Sequence, residues 1–129
     1  MPVAVAIFAH QEERRIGACL ASLPLDRPDT IFHVLVNGST DATAQRAREA
    51  AGERANIIVH DIAAGGKSRT WNHCVHHLLT GMEDAVIFMD GDAEILTGSI
   101  DALVADLATH LHANAAAGMP LNGREVELY

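Results

Sequence analysis

Apolar positions along this chain come in short unbroken runs, separated by longer segments of helical period. Val3–Ala9 is apolar throughout, and residues 85–89 repeat the pattern far downstream. Runs of this length suit strands buried on both faces of a parallel sheet. Residues 31–36 and 56–62 read as two more strands. Between the strands the spacing changes to that of helices. Ile16, Cys19, Leu20 and Leu23 share one face before Pro24 closes the segment. A second helix is predicted over about 42–54, rich in alanine for close packing on a sheet. A third places Trp71, Cys74, Val75, Leu78 and Leu79 on one side, which makes Trp71 a core residue at the seam between helix and sheet. A fourth, with Thr97 or Ser99 as its cap, carries Ile100, Leu103, Val104, Leu107 and Leu111. From residue 113 onward the pattern is weak, and 124–129 is predicted as a short added strand.

Strand starts near 3, 31, 57 and 85 give a repeat of roughly 26–28 residues, close to the length of a βαβ unit. Four such repeats predict a single α/β domain over 1–129, with a mostly parallel sheet between two helical layers. Ligands in open sheets of this kind bind outside the carboxyl ends of the strands. The polar punctuation after each strand is therefore expected at one rim: His10–Glu12, 37–41, 65–69 and 90–92.

The last of these segments carries the sharpest chemistry. Asp90 and Asp92 are two carboxylates separated by Gly91, placed directly after an apolar strand. That arrangement suits a hard divalent cation shared with phosphate oxygens, and it equally suits a solvated strand-to-loop turn. Lys67 follows Gly65 and Gly66 and precedes Arg69, so the pair reads either as an anion site or as ordinary surface charge. Residues 37–41 form a capping turn, with Ser39, Thr40 or Asp41 able to cap the second helix. Glu12 and Glu13 suit the dipole of the first helix. His73 and His77 fall one turn apart, but no third ligand for a metal accompanies them, while His110 and His112 suit a helix C-terminus.

Composition narrows the classes. With 49% hydrophobic and 20% charged residues, the chain is a globular protein. Its formal charge of −8 argues against a nucleic-acid binder. Its apolar runs are too short to span a bilayer, and no basic segment precedes the first one as in a secretory signal. Cys19 and Cys74 form no spacing motif and read as reduced core thiols of a cytoplasmic protein, one that can lie against the inner face of the membrane. Of the nine basic residues, Lys67 is the single lysine.

Four segments in order, Ile7-Phe8-Ala9-His10-Gln11-Glu12-Glu13, Asn37-Gly38-Ser39-Thr40-Asp41, Gly66-Lys67-Ser68-Arg69-Thr70-Trp71-Asn72 and Phe88-Met89-Asp90-Gly91-Asp92, resemble family 2 glycosyltransferases of the GT-A fold. The resemblance covers about residues 3–108. It implies a three-layer, Rossmann-like nucleotide-diphospho-sugar transferase fold that is incomplete at the C-terminus. It further implies that Ala9, His10, Gln11, Glu12, Asn37 and Gly38 hold the base and ribose of a nucleoside-diphosphate sugar. Lys67 and Arg69 then match the basic pair facing the sugar nucleotide. Asp90, Gly91 and Asp92 match the Asp-x-Asp motif, with Asp90 and Asp92 holding Mn2+ or Mg2+ against the diphosphate.

Three departures accompany the likeness. Val36-Asn37 stands where two acidic residues are usual, Gln11 replaces an asparagine, and the chain ends before the acceptor part of family members. The expected function is transfer of a UDP- or GDP-linked sugar to a polysaccharide, lipid or protein acceptor, inverting in type. Its catalytic base is expected beyond residue 129, leaving this chain inactive alone. A non-catalytic nucleotide-binding module is the alternative. A nucleotidyltransferase is disfavoured, because Ala9-His10-Gln11-Glu12 is not a glycine-rich, arginine-containing loop. Open sheet edges are expected to favour pairing of two copies.

Overall fold

The computed structural model describes residues 1–110 and 112–118. Strand β1 (Val3–Ala9), buried at every position, lies between β2 (Thr30–Asn37) and β4 (Ala85–Asp90), and β3 (Ile57–Ile62) flanks β2. All pairings are parallel. The register aligns Ala9 with Val36 and Phe8 with Asp90, so the strands end together at one rim. The expectation of a strand buried on both faces therefore holds for β1. It is corrected for β4, whose apolar residues are only half-buried. The reason is position: β4 borders the sheet, with β1 as its partner among the described residues.

Side chains alternate across β1, so Ala6 and Phe8 face one helical layer while Ala9 faces the other. On the first face Ala6, Phe8 and Leu35 form a core cluster with Cys74, joined by Leu78, Leu79 and Phe88. On the second, Ala9 lies beside Ile16 of α1 (Ile16–Ala21), and α1 packs on α2 (Thr43–Ala51). Helix α2 buries Ala47 and Ala51, as its small residues suggest, and stops at Gly52, whose φ of +59° ends the helical path.

Two helices depart from the sequence pattern. Helix α1 starts at Ile16, later than Glu12 and Glu13 suggest. The Glu12 carbonyl accepts from the N–H groups of Arg15 and Ile16 at 3.0 and 2.9 Å, so both glutamates belong to the turn ahead of the helix. The third predicted helix is two pieces: α3 (Lys67–His73), then a π turn over Cys74–Leu78 in which the Leu79 N–H donates to the Cys74 carbonyl. The wider turn moves the residues around it out of phase with a regular helix. Cys74 is buried, whereas Val75 and Trp71 each remain 39% exposed. The expectation of Trp71 as a core residue is thus corrected: it stacks at the seam on Phe8 and Phe88 but is not enclosed there.

A second compact unit begins at Gly98 and contains α4 (Ser99–Thr109), which buries Ile100 and Val104. Neither Thr97 nor Ser99 caps it; Gly98 takes the N-cap position without a side-chain bond. Leu111 and the predicted strand over 124–129 lie outside the described residues. No helix among those described is long and apolar enough to cross a membrane.

Strands β2 and β3 bring His33 and His60 together, with ring centroids 5.3 Å apart and one ring nitrogen donating to the other at 3.1 Å. Burial holds both imidazoles below their ordinary value of 6.5, and the positive charge of neighbouring histidines adds to the effect at His60. As pH falls through that value, the unfolded chain binds protons that the folded chain refuses, so stability falls with it. Urea midpoints are expected to drop between pH 7.5 and 5.5, and to drop less in His60→Gln. Asp41 and Glu83, whose carboxyls are held below their usual range by hydrogen bonds, lose their contributions only at lower pH.

Candidate functional site

At the carboxyl rim of the sheet lies a cavity of about 440 Å³. The end of β1 contributes Phe8, His10 and Glu12; β2 contributes Asn37. The loop into α3 supplies Gly66 and Lys67, and β4 supplies Asp90, Gly91 and Asp92. Topology alone produces this meeting, because parallel strands place every following loop at the same edge.

Asn37 ties the loops to one another. Its carboxamide donates to the Ala9 carbonyl at 3.2 Å and accepts from the Gly66 N–H at 3.2 Å. Its backbone carbonyl accepts from His10 Nδ1 at 2.8 Å, which fixes the imidazole over the rim. Gly38, next along, has a φ of +57° and meets Gly65 so closely that an added Cβ would sit 2.6 Å from its Cα. Only glycine allows both that conformation and that approach. Gly91 turns equally tightly: its N–H donates to the Phe8 carbonyl at 2.7 Å, and a Cβ there would meet Ala9 at 3.0 Å.

The turn after β2 is cross-linked to the turn after β1. Gln11 donates through Nε2 to Thr40 and accepts through Oε1 from the N–H groups of Thr40 and Asp41. The Glu12 N–H donates to Thr43 Oγ1 at 2.9 Å, and Glu13 accepts from the Ala42 N–H at 3.1 Å. Asp41 accepts from both the N–H and the hydroxyl of Thr43. None of the three candidate caps holds the N-cap of α2, which is Ala42 without a side-chain bond; Asp41 instead ties the turn ahead of it to Thr43. Glu13 serves α2 rather than its own helix.

Charge at the rim is paired. Lys67 Nζ meets Asp90 at 2.5 Å and stands 5.7 Å from the centre of the Phe8 ring. Arg15 reaches Asp92 at 3.4 Å and Glu12 at 3.9 Å. Lys67, Asp90, Arg15 and Asp92 are solvated, so their pairs contribute little to stability and can be exchanged for another partner, while Glu12 is more covered. Beneath them, burial pushes the Cys19 thiol up to about 12, aided by the negative charges of Asp92, Glu94 and Glu12. Cys19 and Cys74 are both buried and free, and neither is a nucleophile in this setting.

Of the residues singled out from sequence, His10, Glu12, Asn37, Lys67, Asp90, Gly91 and Asp92 line the one cavity. Ala9 is buried behind it, Gln11 is spent on the Thr40 turn, Gly38 packs on Gly65, and Arg69 lies outside the lining, exposed. Phe8, Gly66 and Arg15 were not singled out. Phe8 was readable as the last β1 position with the parity of Ala6, but the reach of Arg15 depends on where α1 starts. His73 and His77 sit with ring centroids 5.2 Å apart, and no group of three or more side chains suited to a metal occurs among the described residues.

This fold, an all-parallel sheet with helices packed on it and its loops gathered at one rim, is of the Rossmann-like GT-A type. A model of glycosyl transferase family 2 matches residues 4–129, and the chain belongs to that family. Two solved structures of S. aureus TarS, one of its residues 1–349, share the fold at a TM-score of 0.66 and 24% identity over 85% of this chain. The chain spans 33% of the first and 20% of the second. No curated protein matches it.

The rim's dependence on Asn37 and Gly38 can be measured. Asn37→Ala leaves Gly66 and Ala9 without their partner and is expected to destabilise by about 1–3 kcal/mol. Gly38→Ala forces both a strained backbone and a clash, for about 1–3 kcal/mol. Gly17→Ala, in α1 where a Cβ meets nothing within 4 Å, is expected to stabilise by roughly 0.5–1 kcal/mol. Urea denaturation of the three variants reads all these values.

Proposed function

We propose that this chain is the nucleotide-sugar-binding part of a glycosyltransferase, taking a nucleoside-diphosphate sugar with Mn2+ or Mg2+ at Asp90 and Asp92. The observation that carries this reading is the meeting of both carboxylates, Lys67, His10 and Asn37 in one cavity. The donor set fits the cation. Two exposed carboxylates without a third protein ligand among the described residues do not make a closed zinc cage. They do suit a hard cation that takes its remaining ligands from phosphate and water. When bound, the cation stabilises the negative charge of the departing diphosphate as a Lewis acid.

The protein's own groups divide the remaining work. His10, anchored through Nδ1, offers its ring and its other nitrogen to the base or ribose, and Glu12 offers a carboxylate beside it. Lys67 leaves Asp90 for the diphosphate once that carboxylate has another positive partner, and Arg15 leaves Asp92 in the same way. Sugar transfer then proceeds as direct displacement at the anomeric carbon by an acceptor hydroxyl of a polysaccharide, lipid or protein. The chain spans only a third or less of the TarS structures, and little or no transfer is expected from it alone. At the sheet's borders, β3 and β4 suit pairing with further strands or with a second copy.

Calorimetry with UDP and with GDP, each with and without Mn2+, tests the reading. One nucleotide is expected to bind at least about tenfold tighter with Mn2+, and Asp92→Ala to remove that gain. Arg15→Ala, which releases Asp92, is expected to tighten Mn2+ binding about two- to fivefold. Binding of neither nucleotide, or binding indifferent to Mn2+ and to Asp92→Ala, overturns the proposal.

A further inference from the structure

We propose that Trp71 is the platform of a pyranose-binding subsite over β1 and β4, displaced from Asn37 toward the strand that ends at Asp90. The inference rests on the nucleotide-sugar reading for its place in the reaction, while the platform itself stands on separate observations. Trp71 lies four residues after Lys67, one turn along α3. Its indole stacks on Phe88 with centroids 3.7 Å apart and 18° between planes, and on Phe8 at 5.7 Å and 5°. Phe8 and Phe88 come from adjacent strands, 6.1 Å apart, and both rise from the sheet. Two rings therefore back the indole from below and fix its plane, yet 39% of the residue stays open.

Trp71 also borders a second cavity, of about 330 Å³. Lys67, Ser68, Trp71 and Asn72 line it. Lys67 lines the first cavity as well, so the two spaces adjoin through the residue that meets Asp90. A flat aromatic face, an ammonium, a hydroxyl and a carboxamide together suit one ligand class. A pyranose ring presents a face of C–H bonds to an aromatic plane through dispersion and weak C–H contacts, while its rim hydroxyls need both donors and acceptors. Ser68 and Asn72 supply both.

Sheet order fixes which part of a sugar nucleotide reaches this place. Across the rim the strands run β2, β1, β4, bearing Asn37, His10 and Asp90 in turn. Trp71 lies over β1 and β4, displaced from β2. A nucleotide with its base at His10 and Asn37 and its diphosphate at Asp90 and Lys67 brings its sugar to the β4 side of the rim, where Lys67 joins the first cavity to the one Trp71 borders. A partly open tryptophan serving only to cover Phe8 and Phe88 has no need of the polar pair beside it. The pyranose belongs either to the donor or to a saccharide acceptor, and the two sources are separable by experiment.

Trp71 is the single tryptophan of the chain, so intrinsic emission reports on this subsite directly. Emission is measured with Mn2+ on addition of UDP, UDP-glucose, UDP-N-acetylglucosamine, GDP and GDP-mannose, and separately of methyl glucoside and maltose. A response to a sugar nucleotide beyond that of its bare nucleotide identifies the donor pyranose. A response to the free saccharides identifies an acceptor pyranose. Calorimetry on Trp71→Ala is expected to show about a three- to tenfold loss of affinity for the responding saccharide or sugar nucleotide, with that for the bare nucleotide unchanged. Trp71→Phe restores most of it, and urea denaturation of both variants confirms that they fold. If sugar nucleotides bind by calorimetry but Trp71 answers them no differently from bare nucleotides, and ignores the saccharides, the subsite is refuted while the nucleotide reading survives. If no nucleotide binds, the nucleotide reading fails, and the saccharide arm alone decides the platform.

Discussion

The side chain of Asn37 is the single tie on which the rim depends. A carboxamide both donates and accepts, and here one group joins β1, through the Ala9 carbonyl, to the entry of α3, through the Gly66 N–H. Asn37 is 4% exposed, so these bonds form where water competes little. A carboxylate at this position has no proton to give the Ala9 carbonyl, which makes the departure from the usual acidic pair a change in how the loops are held together. The neighbouring contact of Gly38 with Gly65 reinforces the same junction by shape.

Around that junction the site keeps its charges in balance before any ligand arrives. Lys67 with Asp90, and Arg15 with Asp92, spare the rim from four isolated charges. Because the pairs are solvent-exposed, they are weak and exchangeable, which is what a site must have if it is to release these same groups to a cation and to phosphate oxygens. The hydrophobic side of the rim is fixed instead. Phe8 belongs to a buried strand and to the aromatic stack under Trp71, and its ring also lines the cavity. Mobile charge on a rigid apolar floor is the physical character of this site.

Much of this was legible from residue order. Fully apolar Val3–Ala9 is a strand whose burial leaves no other choice, and the repeat of strand and helix implied a parallel sheet and hence one shared rim. The meeting of His10, Asn37, Lys67, Asp90 and Asp92 comes from that topology alone. What was hidden depends on side-chain destinations. Glu13 looks like a helix-dipole residue but crosses to α2, and Gln11 looks like a ligand but holds a neighbouring turn. The π turn at Cys74–Leu78 could not be read from periodicity, since the apolar spacing fits an ordinary helix until one wider turn shifts its phase. The half-burial of β4 was hidden for a related reason: a run of apolar residues does not reveal whether its strand is central or at the border.

Strand order also bears on how the chain assembles. β1 and β2 are neighbours in sequence as well as in space, whereas Val3 finds Ala85 only across most of the described chain. Loop closure of that span is slow relative to the nearby pairings, so the strand that ends at Asp90 is set to dock late. Until it does, one side of β1 stays bare and the acidic pair is separated from Lys67 and Arg15. On a ribosome, where the early segments emerge first, β1 and β2 can pair before the strand that ends at Asp90 is available to them.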